Sequence, residues 1–242
     1  MDNGAKDNNQ FPADDLFSDR RVCEQAIARA EVESLLAIQG PRHLIDCDLE
    51  EADLSGLDLS RWTFERCNLR RADFGGSKLE GTAWRSCRAA FAGFSGADLN
   101  DASFVASDFN NCVLRRSSLV AATFERCKLT GADLSDAKAF DIRFDETLLI
   151  HAKLPGYSFR KQTLRKIDFS QADLRKCDFR GTLFEECSLR DAAMTGSRFD
   201  GADLRGVDLG GLRLVDASLF RGATISREQA SQLLSELGLN VR

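Results

Sequence analysis

Cysteine is the first residue type in this chain to test for chemistry, because eight thiols in 242 residues could hold a metal or form a redox pair. A four-sulfur metal site needs close pairs such as C-x-x-C, and no such pair occurs. Seven of the eight, all but Cys23, instead fall at positions ending in 2 or 7, and Cys47, Cys67, Cys87, Cys127 and Cys187 are separated by multiples of 20. That regularity reads as packing, a role that free cysteine fills as a small apolar group. The two histidines, His43 and His151, belong to no H-E-x-x-H or related pattern. Asp53, Asp98, Asp133, Asp173 and Asp203 could be read as acid–base carboxylates, but each precedes a Leu in the same short motif, so their recurrence follows the motif. There is no nucleophile elbow, phosphate-cradling glycine loop or dinucleotide fingerprint. The expectation is a protein with no catalytic residues, metal or cofactor.

The elements that position these residues follow from a period of five. From Leu44 to Leu219, 36 positions in unbroken phase hold Leu, Phe, Met or Trp, except Ala89 and Ala139. An amphipathic helix repeats near 3.6 and a strand every 2, so neither explains the spacing. Two positions earlier, 28 of the 36 sites hold Ala, Cys, Ser, Thr or Val, as in Ala52-Asp53-Leu54 and Ala132-Asp133-Leu134. Small inward, polar outward, large inward is strand-like alternation, and the other two residues, rich in Gly, Ser, Asp, Asn, Arg and Lys, suit a turn. Four units close a square coil, so the 36 units make about nine coils. Stacked at the strand spacing of roughly 4.8 Å, they form a rod about 40 Å long. The predicted core includes Leu54, Phe64, Leu99, Phe124, Leu134, Leu174 and Leu204.

Composition agrees with one folded unit. Hydrophobic residues make up 43% and charged residues 29%, and the formal net charge of −5 favours basic partners only weakly. No apolar run approaches a membrane span, and the N-terminal residues lack the form of a signal peptide, so a cytoplasmic protein with reduced thiols is expected.

The Ala-Asp-Leu-x-x motif, with Cys, Ser or Thr alternating in the first place and Phe in the third, resembles the pentapeptide-repeat superfamily from residue 42 to about 223. The resemblance implies an all-β solenoid, a right-handed quadrilateral β-helix, assigned here to residues 41–224. It also implies a non-catalytic, protein-binding role. Some members, the Qnr and MfpA groups, mimic DNA and bind DNA gyrase or topoisomerase IV; the Asp-rich outer rows would then form an acidic face. An immunity, adaptor or regulatory protein is the alternative. Neither direct nucleic-acid binding nor a membrane is expected.

A solenoid needs its ends covered. Residues 1–17 read as a polar, mobile segment, and 18–40 as an N-terminal capping helix started by Ser18 or Asp19 and stopped by Gly40-Pro41. Cys23, Ile27, Ala30 and Ile38 should share its apolar face. Residues 225–242 read as a C-terminal helix opened by the capping box Ser226-x-x-Gln229. That helix is either a cap or, as in related members, a homodimer seam through Leu233, Leu234 and Leu237.

Departures from the repeat mark candidate working surface. Phe91, Val105, Val120, Phe140 and Ile150 are outward apolar residues in the middle coils, either a partner-binding patch or, for Phe91 and Phe140, fillers beside Ala89 and Ala139. Trp62, Tyr157, Gln162 and others are too large for the small inward column and should make coils bulge. Arg160, Lys161, Arg165, Lys166, Arg175, Lys176 and Arg180 form a basic belt.

Overall fold

The computed structural model describes residues 20–210, 218–236 and 238–241. It is a parallel β-solenoid. Nine three-residue strands line one face in sequence order: β1 (Arg21–Cys23), β2 (His43–Ile45), β3 (Thr63–Glu65), β4 (Ala83–Arg85), β5 (Ser103–Val105), β6 (Thr123–Glu125), β7 (Arg143–Asp145), β8 (Thr163–Arg165) and β9 (Leu183–Glu185). From β2 on, each pairs with its neighbour 20 residues later, Phe64 on Trp84 and Phe104 on Phe124. The other three faces are single-residue bridges at the same spacing, for example Asn68 on Arg88, Asp73 on Gly93 and Lys78 on Asp98.

The inward residues behave as the alternation requires. Leu54, Phe64, Leu99, Phe124, Leu134, Leu174 and Leu204 are all buried. Aromatic rings stack along the axis, Phe64 on Trp84 at 4.2 Å and Phe104 on Phe124 at 4.4 Å on the strand face. A second column, Phe159, Phe179, Phe199 and Phe220, stacks at 5.1, 4.8 and 4.8 Å on the fourth face.

Cysteine, serine and threonine at the small position do more than fit. Each corner turn leaves the large residue's carbonyl with acceptor capacity facing inward, and the small side chain of the next coil donates to it. Ser77 Oγ donates to the Leu54 carbonyl at 2.8 Å, Thr182 Oγ1 to Phe159 at 2.7 Å, Cys87 Sγ to Phe64 at 3.2 Å and Cys177 Sγ to Leu154 at 3.1 Å. Several of these carbonyls already accept a backbone N–H, as Phe159 does from Gln162 at 3.0 Å, so the side-chain donor adds a net bond of about 1 kcal/mol at sites where Ala also serves in many coils. Burial pushes the thiols up, Cys127 to about 11 and Cys177 to about 12, so they stay protonated donors.

The corners carry a rule the repeat did not advertise. Every fifth residue from Asp46 to Gly206 has a left-handed backbone, φ 53° at Arg66 and 64° at Phe91, and none of them is Val, Ile or Thr. A β-branched side chain is the costliest occupant of that conformation, so the exclusion is steric.

Both ends differ from the sequence reading. Residues expected at the start of an N-terminal helix form β1, which pairs with β2, and the helix α1 is confined to Arg29–Leu36. Cys23 is consequently exposed on a strand and Ile38 is 60% exposed, while Val32 is the α1 side chain that enters the core. The helix stands in for two faces of the first coil, and buried Arg42 closes its end by donating to the Leu35 and Ile38 carbonyls, at 2.7 Å for Ile38. Ser18, Asp19 and residues 1–17 lie outside the described residues.

At the other end the five-residue phase breaks. Asp203 pairs with Thr224, a step of 21, so Phe220 rather than Leu219 enters the aromatic column. Leu214 lies outside the described residues. The helix α2 (Arg227–Glu236) opens with reciprocal bonds, Ser226 N–H to Gln229 Oε1 at 2.7 Å and Gln229 N–H to Ser226 Oγ at 3.2 Å. The Gln229 amide also donates to the Leu204 and Val207 carbonyls, both at 2.8 Å, closing the last coil.

Candidate partner-binding surface

A rigid stack leaves only its outward side chains free to act, so their placement on the four corners decides what surface exists. Phe91 and Ile150 lie on the corner between the second and third faces, three coils apart. Val105 ends β5 on another corner. Val120 and Phe140 share a third corner on successive coils, where the Ala121 N–H donates to the Phe140 carbonyl at 2.9 Å. Of the five candidates, only Val120 and Phe140 are brought together on adjacent coils.

Neither phenylalanine folds back over its alanine. Phe91 is 52% exposed and Phe140 80% exposed. The space beside Ala89 is taken instead by Phe109 from the next coil, whose ring lies 6.0 Å from Trp84 and 5.0 Å from Phe104. Twenty residues on from Ala137 and Ala139, the next coil brings Tyr157 and Phe159, both buried, while Ala139 stays partly exposed.

The two sites then part company. Above Ala89 the ladder is intact, with Ala89 N–H to Asp108 at 2.7 Å and Phe91 N–H to Asn110 at 2.9 Å. Above Ala139 it opens. Lys138 pairs with Ser118 below and Ser158 with Asp178 above, but among the described residues no bridge joins Lys138 to Ser158, and β7 meets β8 only at Asp145 and Arg165. Two oversized inward side chains stand at this step. Tyr157 donates its hydroxyl to the Leu134 carbonyl at 3.1 Å, and the Gln162 amide takes the Ile142 carbonyl at 3.3 Å, a bond that a backbone N–H makes in neighbouring coils. The second and third faces stay paired through the same level, so the coils splay on one side only. The result is a groove of about 660 Å³ lined by Phe140, Asp141, Phe144, Arg160, Lys161 and Gln162, among others. Its oversized residues were visible in the sequence, but not that they act at one step with Ala139.

The aspartates do not make a continuous acidic face. Asp53, Asp133 and Asp173 share the third face, Asp98 lies on the fourth and Asp203 on the strand face. Each accepts the N–H two residues on, for example Asp53 from Ser55 at 3.0 Å and Asp98 from Asn100 at 3.2 Å. Four of them also meet a cation: Asp53 with Arg29 at 3.3 Å, Asp133 with Lys153 at 3.4 Å, Asp173 with Arg175 and Asp203 with Arg205, both at 2.6 Å. The Arg175 and Arg205 guanidiniums hold Asp173 and Asp203 below the usual carboxylate range. These carboxylates are spent on turns and local pairs.

The basic belt is similarly committed except at Arg160, Lys161 and Lys176. Arg165 pairs with Asp145 and Glu146, Lys166 with Glu146, Arg175 with Asp173 and Arg180 with Asp178. Among the described residues, Arg160 and Lys161, on the groove, make no ion pair, and neither does Lys176.

On α2, Leu233 packs against the core while Leu234 is 39% exposed; Leu237 lies outside the described residues. No group of three or more His, Cys, Asp or Glu among the described residues is placed to hold a metal, and no described helix is long and apolar enough to cross a membrane.

Comparison with solved structures finds the same solenoid. The full-length plasmid-mediated fluoroquinolone resistance protein QnrB1 superposes with a TM-score of 0.66 at 23% identity, covering 83% of this chain and all of its own. A trypsin-treated QnrB1 variant gives 0.67 at 22%, over 84% of this chain and all of its own. These likenesses establish the fold. No curated protein sequence matches the chain. Models of pentapeptide repeats match residues 43–81, 67–104 and 97–136, and a second such model matches 149–208. The stretch they skip, 137–148, is the lower lip of the groove, so sequence pattern and ladder fail at the same level. On either side of that step, from residue 43 to 208, both hold coil after coil, and the chain belongs to the pentapeptide-repeat family.

Proposed function

We propose that this chain is a non-catalytic scaffold that binds another protein through side chains held rigidly on its corners, in the manner of an adaptor, immunity or regulatory protein. The observation that carries the reading is Phe140, 80% exposed and tied to the coil below through its carbonyl, which accepts the Ala121 N–H at 2.9 Å. A large apolar side chain held in water without a packing role marks an interaction surface. Capture of binding proteins from the native lysate by the wild type and by Phe140→Ser tests it. The expected result is loss of a specific captured protein with an unchanged melting temperature. Equal capture by both would overturn it.

A second reading, a DNA mimic acting on DNA gyrase or topoisomerase IV, is favoured by the superposition on the whole of QnrB1. Against it stand the aspartates, divided over three faces and largely paired with Arg and Lys. A protein saddle that binds duplex phosphates needs free negative charge. A gyrase supercoiling assay with and without quinolone separates the two: the scaffold reading expects neither inhibition nor protection. Homodimerisation through α2 is read by sizing Leu234→Glu, which turns a dimer into a monomer if that helix is the seam. The eight free thiols suit a reducing compartment, the cytoplasm.

A further inference from the structure

We propose that the opened step between Lys138 and Ser158 is a docking groove for an extended, acidic segment of a partner protein that carries a bulky apolar side chain; this rests on the scaffold reading and names its site.

Three independent features converge there. The first is the backbone. One coil below, the Leu119 and Ala121 N–H groups donate to the Lys138 and Phe140 carbonyls at 2.7 and 2.9 Å. Among the described residues, their counterparts Ala139 and Asp141 make no such bond to the coil above, and Thr163 makes none to the coil below. Unpaired strand edges of this kind are templates for an added strand, whose main-chain bonds are independent of its sequence.

The second is charge. The groove's carboxylates are already engaged, Asp141 with Arg143 at 3.3 Å and Asp145 with Arg165. Among the described residues Arg160 and Lys161 form no ion pair, Arg160 acting only through its longer-range attraction for Asp178, so the upper lip carries net positive charge toward whatever enters. Elsewhere in the belt only Lys176 lacks an ion pair among the described residues, so the groove is where an acidic segment meets two adjacent unpaired cations.

The third is shape. About 660 Å³ falls within the range of ligand-binding clefts, and its lining combines exposed Phe140 with buried Phe144. An apolar side chain of the segment packs on Phe140, while its carboxylates reach Arg160 and Lys161.

Random linear peptides displayed on phage, panned against the full chain, supply the probe. The expected outcome is enrichment of Asp- and Glu-rich sequences with at least one aromatic or large aliphatic residue. A synthetic copy of the enriched peptide should bind Arg160→Glu/Lys161→Glu about tenfold or more weaker than the wild type, with the melting temperature unchanged. Phe140→Ser should weaken binding as a second, uncharged variant, and the Ala139 and Asp141 amides should gain hydrogen-exchange protection when peptide is bound. No enrichment, enrichment without acidic bias, or binding that survives charge reversal overturns the groove. A peptide or native protein captured on another face while the groove stays empty removes this inference and leaves the scaffold reading standing; no capture by any face removes both.

Discussion

The steps above Ala89 and above Ala139 begin from the same change, a large core side chain cut back to a methyl, and end differently. Above Ala89 a single aromatic, Phe109, arrives at the large position of the next coil, and the small position beside it is Ser107. A single aromatic answers the deficit, and the ladder closes. Above Ala139 the next coil brings Phe159 at the large position and Tyr157 at the small one, with Gln162 oversized on the adjoining face. One methyl-for-leucine deficit is answered by two or three surpluses, and the backbones separate. A solenoid can therefore absorb a local void if its neighbour supplies one matching side chain, since interiors are close-packed and transmit excess volume into the backbone.

The sharpest way to break this contrast is to place the same charge in each setting. Phe124→Asp, in the closed stack, buries an unpaired carboxylate and should abolish cooperative folding, a loss beyond about 4–5 kcal/mol. Phe140→Asp, at the open step, should stay within about 0.5 kcal/mol of the wild type in chemical denaturation, because that side chain already faces water. A large cost at Phe140 would mean that it holds the step together. Next in size, Trp84→Ala should cost about 3–5 kcal/mol by the same measurement, since Trp84 and Phe109 together fill the region around Ala89.

Hydrogen exchange compares the two steps directly. The Ala139 and Asp141 amides should exchange on the order of a hundredfold faster than those of Ala89 and Phe91, whose ladder bonds are made. Equal protection would show that the groove closes in solution. Tyr157→Phe keeps the buried ring and removes only the donor to the Leu134 carbonyl, for a cost of about 1 kcal/mol. The smallest effect belongs to acid. Asp173, Asp178 and Asp203 have folded pKa values held below normal, chiefly by bonds from Arg175, Arg180 and Arg205. Their contribution is present above about pH 4 and is lost as pH falls through the lowered folded values. A shallow decline in melting temperature should begin below about pH 4 and be reduced in Asp173→Asn; because these pairs are partly exposed, it should also weaken with salt.

Much of this molecule was legible before any coordinates. The inward identity of Leu54, Leu99, Phe124 and their kin followed from a period that no helix or simple strand shares. The packing role of the cysteines followed from their phase, though the carbonyls they satisfy did not. The capping box at Ser226 was readable because it is a local hydrogen-bond pattern. Residues 20–28 were less so: the apolar spacing of Cys23 and Ile27 fits a helix as well as the strand that holds Cys23 and the bridge that Ala26 makes to Asp48, and short apolar runs do not separate the two. The outward aspartates and apolar residues could be named but not grouped, because grouping depends on which corner each residue turns.

The sequence by itself determined which side chains point into the tube and how many residues make a circuit, since both are settled by alternation and turn sterics within a few bonds. Only the tertiary structure decided where β1 replaces helix, where the last circuit takes 21 residues instead of 20, which outward groups meet, and where the ladder opens. Those outcomes rest on the summed volumes and hydrogen bonds of residues about 20 positions apart, and neighbours at that distance exist only once the coils are stacked.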